Sequence, residues 1–136
     1  MKSKAFNFLF VFLFLSLFLS ACNHRSALEG SWVGCEMRRP LIDWTLTVED
    51  NHFSLVREDS DLWYIGFIRL NLNCKLKKID MIIDDTSIPA VKGQIALGIF
   101  EINGNSLTIA SSEPGGHSRP RSFGEPGAIE FAFIKD

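Results

Sequence analysis

The stretch "DWTLTVEDNHFSL", Asp43 to Leu55, decides the fold. Trp44, Leu46 and Val48 alternate with Asp43, Thr45, Thr47 and Glu49. Successive side chains on a pleated strand point to opposite faces, so a period of two marks a strand with one face buried. Asp50-Asn51 then reads as a hairpin turn, and Phe53 and Leu55 carry the apolar face onto the returning strand.

The same pattern extends in both directions. In "LWYIGFIRLNLN", Leu62 to Asn73, the residues Ile68, Leu70 and Leu72 share one face, and Arg69, Asn71 and Asn73 the other. Gly66 inside this run signals a bulge or a bend. "KKIDMIID" places Ile79, Met81 and Ile83 together. "QIALGIFEI" and "SLTIA" are joined by Asn103-Gly104-Asn105, a short hairpin loop. In "AIEFAFI", Ile129, Phe131 and Phe133 alternate with Glu130 and Ala132. Eight strands are expected, at about 31–37, 43–50, 52–58, 62–73, 77–84, 94–102, 106–111 and 128–135, with no long helix, internal repeat or second domain. Short strands with regular turn signals build sandwiches or barrels. Eight up-and-down strands closing on themselves leave no exposed edge. The fold class is therefore all-β, a small antiparallel barrel. Its interior is either solid or holds a small apolar ligand, because roughly nineteen large apolar residues face inward and eight strands enclose little more than their own side chains.

The N-terminus is an address rather than fold. Lys2 and Lys4 precede an apolar run, Phe6 to Leu19, which ends at "LSAC", Leu19 to Cys22. A charged start, an apolar middle and small residues before a break describe a secretory signal. The run is shorter than the ~20 residues a bilayer-crossing helix needs. "LSAC" resembles the bacterial lipobox. That resemblance implies lipid attachment to the thiol of Cys22 and cleavage before it, with residues 1–21 as signal, 22–27 as lipidated tether and 28–136 as the domain. Two or three acyl chains, at ~0.8 kcal/mol per buried methylene, hold a protein stably on a membrane. Asn23, rather than aspartate, follows the cysteine, which points to the outer membrane as the location in the cell envelope.

Without its signal the chain has 115 residues, one domain's length, and a net charge of −4. That balance argues against nucleic acid as a partner. Cys35 and Cys74 remain, 39 positions apart. An envelope compartment permits a disulfide between them, worth about 3–4 kcal/mol in the chain-entropy model. Two buried free thiols are the other reading. Nothing in the Cys and His spacing suggests a metal, and no cofactor motif is present.

"LEGSW", Leu28 to Trp32, resembles the G-x-W signature of the first lipocalin strand, in which the tryptophan plugs one end of the barrel. "KKID", "LGIFEINGNSLTI", "PGG", "RP" and Phe123 follow in order. The series resembles an uncharacterised lipocalin-like domain family abundant in planctomycetes, over Leu28 to Lys135. Phe100 stands where that family commonly has tyrosine, and Ala110 where it often has cysteine. The resemblance implies a lipocalin-like barrel and brings no established activity. It also implies a barrel-end group of Gly30, Trp32 and Arg119, with the arginine stacked on the tryptophan as a cation–π pair.

"SSEPGGHSRPRSF", Ser111 to Phe123, holds most of the remaining chemistry-bearing residues. A triad of Ser118, His117 and Glu113 would need the three side chains within hydrogen-bond reach, and neighbours on an extended loop point apart. Gly115 and Gly116 with Arg119 and Arg121 are a candidate anion cradle. The simplest reading is a turn at Pro114-Gly115-Gly116 with an extended arm at Arg119-Pro120. "EDSD", Glu58 to Asp61, reads as a solvated turn. Trp63, Tyr64 and Phe67 are candidates for contact with a ligand or partner. The expected function is non-enzymatic: a lipid-anchored barrel that binds a small apolar ligand, or a packed module that presents an apolar patch to another envelope protein.

Overall fold

A computed structural model describes residues 27–136. Eight strands run in order: β1 (Gly30–Glu36), β2 (Arg39–Glu49), β3 (His52–Arg57), β4 (Trp63–Asn71), β5 (Lys77–Thr86), β6 (Ile95–Asn103), β7 (Ser106–Ser111) and β8 (Ile129–Lys135). Each pairs antiparallel with the next, and β8 returns to pair with β1, closing the barrel. All eight expected strands are present. β2 begins four residues before its expected start, because Arg39 already pairs with Glu36 across a tight hairpin. All the pairings that close the barrel lie within residues 30–135. The signal, the Cys22 lipobox and the tether up to Ser26 lie outside the described residues.

The period-two pattern fills the interior as expected. Trp44, Leu46 and Val48 are buried in the core with Phe53, Leu55, Ile68, Ile79, Met81 and Ile83. Asp50 and Asn51 both have positive φ, 48° and 64°, as a two-residue type I′ hairpin turn requires. Gly66 marks a bulge: the β4–β5 register shifts between Ile65 and Gly66. A Cβ there would stand 1.8 Å from the Ile82 carbonyl oxygen, so only glycine lets the strands approach.

The barrel's two rims differ in the length of their connections. One rim carries the Asp50-Asn51 turn, the segment 72–76 and the Gly104-Asn105 turn. The other carries the β1–β2 hairpin, the segment 58–62, a single 3-10 turn at Pro89–Val91, and the longest connection, 112–128. This last segment is a strap over the outer wall. Arg119 Nη2 donates to Asp80 Oδ1 at 2.6 Å, and Nη1 donates to the Gly98 and Ile79 carbonyls at 2.7 and 3.3 Å. Farther along, the Gly124 amide donates to Glu130 Oε1 at 3.0 Å. Between these anchor points, Ile99 and Ala110 are cross-strand partners that face away from the core by strand alternation, yet both are buried. The strap explains their burial, with Pro120 buried in its middle.

Candidate ligand-binding site

One end of the barrel is shut. Trp32 is fully buried, and its indole N–H donates to the Leu28 carbonyl at 2.9 Å. Leu28 is buried beside it. Lys135, the cross-strand partner of Trp32 on β8, places its ammonium 4.6 Å from the indole ring centroid and donates to the Glu29 carbonyl. Gly30 sits at φ 119°, and a Cβ there would come within 2.8 Å of Lys135 Nζ. The glycine therefore supplies both the backbone conformation and the space for the lysine.

This arrangement corrects the expected barrel-end group. Gly30 and Trp32 belong to it, but Arg119 does not. The arginine is held on the outer wall, where a carboxylate and two carbonyls take up its donors, while register alone brings Lys135 over Trp32. A charge-assisted hydrogen bond to Asp80 outweighs a cation–π contact of ~0.5–2 kcal/mol.

The other end is open. A cavity of about 200 Å³ enters the barrel beneath the long connections. Its wall includes Trp44, Phe53, Tyr64, Phe131 and Phe133 with Met81, Ile83 and Ala96, and its rim includes Glu36, Arg39, Arg57, Ser112 and Pro114. The aromatic wall is ordered. Between ring centroids, Trp44 and Tyr64 stack at 6.5 Å, Trp44 and Phe131 meet in a T-shaped pair at 5.5 Å, and Phe131 stacks on Phe133 at 5.5 Å. Such pairs hold ring positions by about 0.5–1.5 kcal/mol beyond their burial. An aliphatic cavity of about 150 Å³ takes a benzene, so this one takes a single ring or a short chain rather than a whole lipid tail. The interior is therefore not packed to its full height at this end.

The rim carries charge. Strand alternation from Trp32 and Gly34 carries Glu36, the cross-strand partner of Phe131 on β8, onto the cavity lining. Burial, and then the Glu36 carboxylate, raise the Tyr64 phenol above its ordinary value, so Tyr64 is neutral at physiological pH. Arg57 is committed to Asp59, with Nε at 2.6 Å and Nη2 at 3.1 Å. Thr45 Oγ1 donates to Glu58 at 2.7 Å. Among the described residues, Glu36 and Arg39 make no ion pair.

The other candidates divide. Of Trp63, Tyr64 and Phe67, only Tyr64 lines the cavity. Trp63 and Phe67 have the opposite strand phase. Phe67 is exposed on the outer wall against the His52 ring at 4.8 Å, and the Trp63 amide donates to Ser87 Oγ at 3.0 Å. Cys35 and Cys74 are free thiols, which corrects the disulfide. Cys35 lies near the open rim on β1 and Cys74 in the segment 72–76 at the closed rim, so the height of the barrel separates them. They are half-buried rather than buried. The cradle is corrected as well. The Gly115 amide donates to the Ile95 carbonyl at 3.0 Å and the Gly116 amide to the Glu113 carbonyl at 2.9 Å, so neither faces a ligand. His117 and Ser118 are exposed on the strap.

Sequence reasoning missed Trp44, Phe131 and Glu36 as lining residues. The two aromatics fall on the inward face by alternation, but nothing in the sequence marks them as bordering space rather than core. Glu36 is two positions past Gly34 and four past Trp32, in their inward phase; a charge in that phase was the available signal. Comparisons against protein-family models, curated proteins and solved structures each found no match.

Proposed function

We propose that this protein is a lipid-anchored binding protein of the cell envelope, held at the outer membrane through Cys22, that carries a small, largely apolar ligand in the open end of a lipocalin-like barrel. The observation that carries this reading is the difference between the ends: one closed by Leu28, Trp32 and Lys135, the other left with an aromatic-walled cavity of about 200 Å³. Apolar walls with a few polar groups at the mouth are the usual form of a small-molecule site. Membership in the planctomycete lipocalin-like family is part of the same proposal and rests on the ordered motifs from "LEGSW" to "FAFIKD".

The test uses the chain from residue 22 onward with Cys22→Ser, exported to a periplasm and examined by native mass spectrometry. The expected result is an added mass of ring-sized or short-chain scale that leaves on denaturation. A bare mass together with failure to take up added indole would refute ligand binding. The anchor is tested separately, by incorporation of a labelled fatty acid into the full chain and its loss in Cys22→Ala.

A further inference from the structure

The rim chemistry narrows the ligand, on the premise that the cavity is a ligand site at all. We infer that the ligand is a small organic cation, with an apolar ring-sized body inside the cavity and a protonated amine at the mouth, where Glu36 is its counter-charge.

Three observations converge on this class. The cavity wall presents aromatic rings close to the mouth: Trp44, Tyr64 and Phe131 lie on β2, β4 and β8, and stack or abut one another. Ring faces attract ammonium groups, most strongly when water is excluded. Glu36 is half-buried, lines the same cavity and has no cationic partner among the described residues. A partly desolvated carboxylate without an ion-pair partner favours a counter-charge, and an ammonium supplies one with charge-assisted hydrogen bonds.

The cationic side chains offer an anion less. Arg57 is already gripped by Asp59 through two hydrogen bonds. Arg39 is registered opposite Glu36, but it is exposed to water, where a single ion pair contributes little. The neutral Tyr64 hydroxyl adds an acceptor for an N–H, and a phenol held in its protonated form does not repel an anion or attract a cation by charge.

The test compares three probes of one size and shape on the Cys22→Ser chain: 2-phenylethylamine, 2-phenylethanol and phenylacetate, each titrated by calorimetry at neutral pH. The amine is expected to bind at least about tenfold more tightly than the alcohol, and the alcohol more tightly than phenylacetate. Glu36→Gln is expected to remove the amine's advantage while leaving the alcohol's affinity within about twofold. Equal binding of all three probes would overturn the cation assignment and leave the apolar-ligand reading standing. A preference for phenylacetate that is lost in Arg39→Gln would overturn it in favour of an anion. Binding of none of the three, nor of indole, would overturn both readings together. Because Glu36→Gln changes charge at a half-buried rim position and keeps volume, a matching circular dichroism melt separates loss of preference from loss of fold.

Discussion

The two ends of this barrel are built from similar residues and do opposite things. At the closed end, a tryptophan, a leucine and a lysine stem converge, and each polar atom among them has a partner: indole N–H to Leu28, ammonium to Glu29 and to the ring. At the open end, Trp44, Tyr64 and Phe131 pack on one another along the wall, and no side chain among the described residues fills the space between the walls. The difference lies in the partners. Leu28, from the segment before β1, and Lys135 close over Trp32, whereas the open-end rings pack on one another and leave a cavity beside them.

That contrast makes the effects of substitution unequal. The largest is expected at the plug. Trp32→Ala removes a fully buried ring and should cost about 3–5 kcal/mol, read as a fall in the midpoint of thermal or urea unfolding. A loss below 1 kcal/mol would mean that Trp32 does not close the barrel. The strap comes next. Arg119→Ala should cost about 1–3 kcal/mol and speed proteolytic cleavage within 112–128, because three hydrogen bonds are lost and the Gly98 carbonyl is left without its arginine partner. Unchanged proteolysis would place the hold on the strap elsewhere.

Smaller effects separate packing from binding. Lys135→Met keeps the stem over Trp32 and removes the charge, so it should cost only about 0.5–2 kcal/mol. Ala96→Leu projects extra methyls into the cavity. It should change stability by no more than about 1 kcal/mol, because the added volume enters existing space, yet it should abolish uptake of indole. The two outcomes together sharpen the comparison: the plug governs stability, and the mouth governs binding.

The smallest effect is electrostatic. Tyr64 is the sole tyrosine in the chain, so the near-ultraviolet absorbance of ionised phenol reports it alone. Its folded pKa is raised above the unfolded value of about 10. The raised value favours the neutral form in the fold, so this contribution to stability is fully present below the unfolded pKa and is lost as pH rises through the folded one. Titration should therefore show phenol ionising above the ordinary range, and Tyr64→Phe should flatten the alkaline part of the stability profile. Glu36→Gln should lower the titration point, since the carboxylate is the second cause of the shift.

The barrel itself was legible in the sequence because strand alternation is local. Trp44 through Leu55 states its own register, and Gly66 announces the irregularity in the β4–β5 pairing. The site was legible only in part, because it depends on what residues meet across the barrel. Gly30 and Trp32 carry a recognisable spacing, but the cation that meets them depends on β8 closing against β1, a contact between positions 32 and 135 that no local pattern encodes. The same closure leaves Arg119 free to bind Asp80. Cys35 and Cys74 looked pairable in sequence because separation along the chain says nothing about height in the barrel. The cavity was illegible for the same reason: the inward phase identifies which residues face the axis, and the volume they leave depends on how their rings turn.

The most direct test of the account is the amide NMR spectrum of the Cys22→Ser chain titrated with indole. The account predicts saturable shifts around Trp44, Tyr64, Ala96 and Phe131, with Trp32, Lys135 and the outer-wall residues Ile65 and Phe67 unmoved. Shifts centred on Ile65 and Phe67, or on the Trp32 end, would contradict an open mouth opposite a closed plug.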